Sequence, residues 1–278
     1  MKLAWLALAS ALFLPVWFVA AGLGSKWGVW SWQFGLGKMF MAWGPLLLGA
    51  VLVICIVSLI AALIKAPRVR PLVLTGVALF IFGMVAFRLA VMANVAQNLP
   101  PIHDVQTDWS DPVRFSDAIM SERSKVEGVN PVEDDPVISE QAEANWPDMV
   151  GRRVAEVQAE KYEKISTLIT VVEPEKVYVA TTLTLDELGI EIVHEKKGPN
   201  VYVVEGTYTT RLFGFKDDVA VRIRPKGKGS EIDIRSTSRV GLSDVGVNFE
   251  RVYAILERLK LRLQELDPDL AADENGSE

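Results

Sequence analysis

Three long runs of apolar residues dominate the first third of the chain. They occupy residues 3–21, 45–64 and 71–87, and the last run continues weakly to about residue 96. Each run reaches or approaches the roughly 20 residues that an α-helix needs to cross the hydrocarbon of a bilayer. The pattern therefore predicts a membrane domain over residues 1–96, in which three transmembrane helices contact the lipid.

The short connection between the second and third runs is basic. Its sequence, KAPRVRP, contains Lys65, Arg68 and Arg70. Short loops with clustered Lys and Arg usually stay in the cytoplasm. We therefore predict a multi-pass protein of the inner (cytoplasmic) membrane, with a cytoplasmic N-terminus and a periplasmic C-terminal domain.

The first run also fits a cleavable signal peptide, because Lys2 precedes it and the small residues Ala20, Ala21 and Gly22 end it. At 19 residues it is long for the apolar part of a signal peptide, and two further runs follow. We therefore favour a helix that is retained in the mature protein.

Residues 25–44, between the first and second runs, contain four tryptophans. Tryptophan prefers the headgroup level of a bilayer. We predict a short helix lying flat against the outer leaflet there, with a quinone or lipid pocket as the alternative.

From residue 174 onward the pattern changes to that of a small α+β domain. A helix is predicted from Pro174 to Gly189, because proline favours the first turn of a helix and glycine the position just past its end. Four segments then alternate apolar and polar residues, at 190–195, 201–210, 218–224 and 231–236. Their short connections favour antiparallel pairing of consecutive strands.

A last helix is predicted from about Asn248, whose side chain is a good N-cap. Its apolar residues recur at helical spacing, at Val252, Ile255, Leu256, Leu259, Leu263 and Leu266. Such a stripe needs a sheet to cover. The predicted fold is therefore a membrane α-helical part plus an α+β domain, in which two helices cover an antiparallel four-stranded meander sheet.

The remaining segments are rich in proline and acidic residues. Residues 97–150 are predicted to form an extracytoplasmic linker with a mobile acidic excursion over 124–147. The compact α+β domain then covers 151–267, and 268–278 form a disordered acidic tail.

The charge of the chain changes at the end of the predicted membrane domain, near residue 96. Residues 1–96 hold seven Lys and Arg and no acid, which leaves 22 basic residues against 35 acidic ones, or about −13, in the remainder. A hydrophobic fraction of 50% and a mean hydropathy of +0.24 agree with membrane insertion. The acidic part argues against a nucleic-acid partner and against docking onto anionic lipid headgroups.

The segment RSTSRVGLSDVGVN, residues 235–248, is the most chemically dense in the chain. Two arginines and several hydroxyls beside a helix N-terminus fit a clamp for a carboxylate or phosphate. The predicted ligand-binding residues are Arg222, Arg235, Ser236, Ser238, Arg239, Asp244 and Asn248. The alternative is an internal arginine–carboxylate network that fixes the turn, with Asp217 and Asp218 of the neighbouring strand as members.

The clamp hypothesis also depends on the charge of one sheet face. Four arginines are expected there with only Asp233 between them, at positions 222, 224, 235 and 239. A surplus of positive charge would attract an anionic lipid or an acidic glycan. Glu191, Glu195 and Glu205 on the first two strands are the acids that would neutralise it.

An enzyme is the less favoured interpretation. The chain has two histidines, His103 and His194, and neither is placed to act as a base for Ser236 or Ser238. A metal site at His103 with the nearby aspartates 104, 108 and 111 lacks a second His or Cys at ligand spacing. The single Cys55 lies within the second apolar run and forms no intramolecular disulfide. We therefore predict no cofactor, no metal and no catalytic residue.

Three stretches resemble the family called domain of unknown function 1499. They are HDVQTDWSDPVRF, LFGFKDDVAVRI and IDIRSTSRVGLSDVGVN, within about residues 100–265. The chain departs from the family pattern at Val113, which replaces a proline, and at QAEKYEKI, where the family tends to have Tyr-Pro-Asp. The resemblance implies a membrane-attached envelope domain, and it transfers no catalytic residue because the family has no established activity.

These patterns together favour a non-enzymatic binding module of the cell envelope, anchored in the membrane. Its ligand would be a lipid, another anionic molecule or a protein of the envelope. The alternatives are an envelope hydrolase and a structural subunit of a membrane complex.

Overall fold

The computed structural model describes residues 1–162 and 164–266. The predicted tail at 268–278 lies outside the described residues. The chain divides into two compact units. The first comprises Met1–Asn98 with the loop Thr210–Gly214, and the second begins at Leu99 and holds the rest of the chain.

Three helices form most of the first unit. They are α1 (Lys2–Lys26), α2 (Gly44–Ile64) and α3 (Val69–Asn98). Each is long and apolar enough to cross a membrane. The three predicted helices are therefore confirmed, and α3 continues beyond the apolar run to Asn98.

Small residues and hydroxyls bring these helices together. The buried side of α1 repeats every three to four positions, at Ala4, Ala7, Ala11, Leu14, Phe18 and Ala21. Small side chains let helices approach closely in a bilayer, where packing and interhelical hydrogen bonds drive association. The hydroxyls of Ser58 on α2 and Thr75 on α3 lie 2.7 Å apart and form such a bond.

The tryptophan-rich connection is helical. Residues Gln33–Trp43 have π-helical hydrogen bonding and run directly into α2. The Trp17 indole donates to the Met39 carbonyl at 3.1 Å, and the rings of Phe18 and Phe40 meet edge to face at 4.9 Å. The predicted helix is therefore present and packs against α1, while its place at the outer leaflet stays a prediction.

An antiparallel sheet of six strands organises the second unit. Its strands are β1 (Asp104–Gln106), β2 (Leu168–Thr170), β3 (Glu191–Lys197), β4 (Tyr202–Thr209), β5 (Lys216–Lys226) and β6 (Gly229–Ser238). The strand order is β1-β6-β5-β4-β3, and β2 also pairs with β6. Strands β3 to β6 form the predicted meander. The two additional strands have three residues each, too few to show an alternating pattern.

Among the described residues of this unit, four helices accompany the sheet: α4 (Asp117–Ser124), α5 (Val154–Lys161), α6 (Pro174–Glu187) and α7 (Val247–Leu266), with short 3₁₀ turns at Glu140–Ala142 and Pro147–Met149. The predicted pair, α6 and α7, packs on the apolar face of the sheet. The core between them contains Val204, Val219, Val221, Ile223, Ile232, Ile234, Val252, Ile255 and Leu259. These positions follow the alternation of the strands and the stripe of α7, so this part of the fold is confirmed.

The opposite face of the sheet is polar, and it is covered as well. The segment between β1 and α5 crosses it, and the Asn130 N–H donates to the Arg239 carbonyl at 2.7 Å. Further along, the Ile138 N–H donates to the Arg152 carbonyl at 2.9 Å, and Ile138 is buried. The predicted mobile excursion over 124–147 is therefore hydrogen-bonded to the domain at Asn130 and Ile138. It shields polar side chains of the sheet, which its acidic composition did not indicate.

Candidate functional site

The segment 235–248 runs from the end of β6 through a turn into α7. Strand alternation places Arg235 on the polar face of the sheet and Ser236 and Ser238 on the face covered by helices. The same alternation sends Asp217 and Asp218 to opposite faces. The predicted residues therefore divide into two hydrogen-bonded clusters, one on each side of the sheet.

Arg235 is fully buried, and protein groups surround its guanidinium. Its Nε and Nη2 donate to the Asp104 carboxylate at 3.0 and 2.5 Å. Its Nη1 donates to the Val113 carbonyl at 2.9 Å and its Nη2 to the Glu133 carbonyl at 2.7 Å. Bidentate arginine–carboxylate contacts are among the strong hydrogen bonds of proteins. An anion could reach Arg235 only by displacing these partners.

Asp218 holds two buried arginines on the same face. Arg239 donates through Nε and Nη2 to the two carboxylate oxygens at 2.9 and 2.7 Å. Arg123 on α4 donates to Asp218 at 2.8 Å, and the Thr207 hydroxyl donates to it at 2.8 Å. The exposed side-chain fractions of Arg239, Arg123 and Asp218 are only 5%, 2% and 0%. The carboxylate thus compensates two charges that water does not reach.

Arg123 was not among the predicted residues. Burial lowers the pKa of its guanidinium, and the neighbouring Asp218 carboxylate acts in the opposite direction. A signal was present in the sequence, since Arg123 follows the buried Ile119 by four residues and so lies on the same side of α4. The sequence does not show that Asp218 of β5 lies opposite Arg123, and the spacing alone does not distinguish a buried arginine from an exposed one.

The second cluster lies between the sheet and α7. Arg251 donates to the Asp217 carboxylate at 2.8 Å and to Asn248 Oδ1 at 2.6 Å. The Ser236 hydroxyl donates to the same oxygen at 2.6 Å, and Asn248 Nδ2 donates to the Ser238 hydroxyl at 2.9 Å. All five side chains are buried. The cluster fixes α7 on the sheet, and within it the hydroxyls of Ser236 and Ser238 bond the Asn248 side chain.

Asp244 caps α7, and this corrects the prediction for Asn248. The helix begins at Val247, so Asn248 lies within its first turn. The Asp244 carboxylate accepts the N–H groups of Gly246 at 2.8 Å and of Asn248 at 3.0 Å. An aspartate before the helix satisfies N–H groups that have no partner within the helix. The side chain of Asn248 is therefore not the cap, and it bonds Ser236 and Arg251 in the buried cluster instead.

Arg222 and Arg224 lie nearer the edge of the polar face. Both donate to the buried Asp233 at 2.9 Å. Arg222 also lies 3.3 Å from the Asp111 carboxylate, and Arg224 donates to Glu231 at 2.5 Å. Three carboxylates thus meet two guanidiniums here. The expected surplus of positive charge is not found on this part of the face.

The metal hypothesis for His103 gains no support from the geometry. Among the residues that the structure describes, no group of three or more His, Cys, Asp or Glu could hold a metal ion. Burial lowers the pKa of His103, and nearby Asp104 acts in the opposite direction. The His103 carbonyl accepts the Ser238 N–H at 2.8 Å, so the residue joins the turn through its backbone.

A comparison of the chain with models of protein families identifies its family. Residues 104–259 match the model described as "Protein of unknown function (DUF1499)". This match covers more than half of the 278 residues. The chain belongs to the DUF1499 family. The matched region contains both partners of every ion pair described above, and the resemblance seen in the sequence is confirmed. A search of curated proteins and a search of solved structures each found no match.

The DUF1499 domain also has an open groove, of about 480 Å³, between α6 and the C-terminal part of α7. Val179, Leu183 and Leu266 line it and are 50%, 50% and 53% exposed. Charged residues flank them, namely Glu173, Glu175, Lys176, Arg262 and Glu265. Unlike the buried clusters, this surface presents apolar side chains to an incoming molecule.

The first unit has an apolar cleft of about 560 Å³, lined by residues of α1 and by Trp27, Val29 and Trp30. A lipid or quinone pocket, the alternative interpretation of the tryptophan-rich connection, would use this cleft. Its lining is almost entirely apolar, as expected for a surface that faces lipid chains.

The cap of α7 leads to a prediction about pH. Burial raises the pKa of Asp244 from 3.8 to about 6, against the lowering effect of its two backbone donors. The folded protein holds this proton more tightly than the unfolded chain, so the stabilisation is full below pH 3.8 and is lost as the pH rises through about 6. The two pKa values differ by an amount that corresponds to about 3 kcal/mol at most.

We expect the wild-type chain to lose stability relative to Asp244→Asn as the pH rises from 3.8 to about 6. Urea midpoints of both chains across this range measure the difference. The buried His103 contributes in the opposite direction but equally to both chains, so it cancels. A difference in urea midpoint between the two chains that stays constant with pH would contradict the raised pKa of Asp244.

Proposed function

We propose that this DUF1499 protein is a non-enzymatic, membrane-anchored module that binds another envelope protein in the extracytoplasmic compartment. The observation that carries the proposal is the apolar groove between α6 and α7. Three half-exposed aliphatic residues lie there together inside a rim of charged residues, an arrangement that fits the apolar centre and polar rim of a protein interface.

The hydrogen bonding of the predicted clamp residues supports a structural role for them. Arg235 and Arg239 are buried and bound to Asp104 and Asp218. A ligand would have to replace those contacts and leave buried carboxylates without partners, which is costly. Of the predicted ligand-binding residues, Arg222 has the more open position, with a side chain 13% exposed, and Asp233 and Asp111 already balance its charge.

The chemistry of the groove favours an amphipathic helix as the ligand. Val179 and Leu183 are four residues apart on α6, and Leu266 of α7 faces the same groove. Apolar residues between two helices are typical of surfaces that receive the apolar side of a third helix. The three glutamates of the rim outnumber Lys176 and Arg262, and Arg262 already binds Glu187 at 2.7 Å. A partner helix with flanking Lys or Arg fits this charge, whereas an anionic lipid does not.

Photocrosslinking in living cells tests this proposal. A photoreactive residue at Val179 should form a discrete protein adduct in the native membrane. The matched control is Val193 on β3, which is 41% exposed on the edge strand outside the groove. Equal adducts at both positions, or none at Val179, would contradict the proposal.

The compartment is tested separately with alkaline phosphatase fusions. The basic connection at 65–70 supports an extracytoplasmic position for the DUF1499 domain. The enzyme should be active when fused after residue 150 and inactive when fused at residue 67. The reverse pattern of activity would place the domain in the cytoplasm and overturn the extracytoplasmic assignment.

A further inference from the structure

The turn that leads into α7 exposes two valines. Val245 is 44% exposed and Val247 is 39% exposed. The backbone of Val245 has φ 49, a left-handed conformation that β-branched residues rarely adopt. A glycine would take this conformation with less strain, so the local backbone does not explain a valine here.

Hydrogen bonds hold this turn in place. The Asp244 N–H donates to the Ile102 carbonyl at 3.0 Å, and the Ser243 hydroxyl donates to the Pro100 carbonyl at 3.2 Å. The Asp244 carboxylate in turn accepts the Gly246 N–H at 2.8 Å. Val245 and Val247 therefore lie on a turn that hydrogen bonds hold in place, and its charged residue, Asp244, is buried.

The same contacts fix the turn beside Leu99, the first residue of the second unit. Leu99 is the residue after Asn98, the last residue of α3. Gly246 packs so closely on Leu99 that an added Cβ would lie 3.1 Å from Leu99 Cδ1. The 30 residues of α3 extend about 45 Å, enough to cross the hydrocarbon and reach the far headgroups.

We propose that Val245 and Val247 insert into the bilayer at the boundary between headgroups and acyl chains. They give the DUF1499 domain a contact with lipid in addition to its covalent link through α3. The side chains of Val245 and Val247 are apolar and the carboxylate of Asp244 is buried, so the contact needs no anionic lipid. It differs from electrostatic attachment in being insensitive to salt. The proposal stands independently of the groove.

Fluorescence quenching in vesicles tests the insertion on the full chain. Val245 and Val247 are changed singly to cysteine in a Cys55→Ala background and labelled with a polarity-sensitive fluorophore. Val193→Cys is the control, because it is 41% exposed and lies on the edge strand β3. The vesicles contain phosphatidylcholine and a lipid that carries a nitroxide near the headgroup.

Both turn labels should emit at shorter wavelength than the control and be quenched several-fold more strongly, with no change at high salt. Quenching equal to that of the control at the turn positions would overturn the proposal. Quenching that disappears at high salt would also overturn it, because the contact would then be electrostatic. The two positions are measured separately, so a variant that fails to fold leaves the other as the test.

Discussion

Replacing Asp218 with alanine is expected to destabilise the DUF1499 domain by roughly 3 to 5 kcal/mol. The change leaves Arg123 and Arg239 buried without the carboxylate that both of them bind. Removing one partner of a buried pair is costly because the remaining charge has neither water nor a counterion. Since domains are typically stable by only about 5 to 15 kcal/mol, this single change removes a large part of the total.

A double-mutant cycle separates this effect from a simple loss of contacts. Arg239→Ala in the Asp218→Ala background should cost less than it does in the wild-type chain, because it removes one of the stranded charges. Urea unfolding of the detergent-solubilised chain, followed by brief proteolysis, gives the free energies. The control is Arg114→Ala, whose ion pair with Asp134 is exposed (78% and 54%), and it should leave the midpoint unchanged. Additive losses at Asp218 and Arg239 would contradict the buried pairing.

Alternation of residue types was sufficient to predict both faces of the central strands. Val219 and Val221 enter the core, while Asp218 and Arg222 lie on the opposite face, as a period of two requires. The stripe of α7 likewise predicted the face that covers the sheet, except at Leu266, which is 53% exposed. These features depend only on local spacing, which a single sequence contains.

The partners of the charged residues could not be predicted in this way. Asp104 and Arg235 are 131 positions apart in the chain and meet only because the three-residue strand β1 pairs with β6. No local pattern marks a strand of that length. The segment over 124–147 was predicted to be mobile from its composition, yet its Asn130 and Glu133 carbonyls accept hydrogen bonds from the buried Arg123 and Arg235. The surplus of positive charge predicted for the sheet face is not found because Asp104, Asp218 and Asp233 bind the arginines there.

The second large effect concerns the groove. Leu183→Asp is expected to weaken partner binding by about 30-fold, which corresponds to about 2 kcal/mol, the cost typical of a hot-spot residue. Leu183 is 50% exposed, so the charge should remain in water in the free protein and leave the unfolding midpoint close to that of the wild type. The measurement is the yield of the Val179 adduct in cells.

The matched control for this change is Ile169→Asp. Ile169 is 59% exposed on β2, outside the groove. Its replacement by aspartate introduces the same charge as Leu183→Asp. Its adduct yield should equal that of the wild-type chain. Loss of the adduct in both variants would indicate a general effect of charge or of protein level, and the groove would lose its assignment.

Sequencing of the peptide joined to the photoprobe at Val179 tests the account most directly. It should come from a different membrane or envelope protein, and its sequence should have apolar residues at helical spacing flanked by Lys or Arg. An adduct with lipid, an adduct with a second copy of this chain, or no adduct at all would contradict the claim that the groove binds a protein partner.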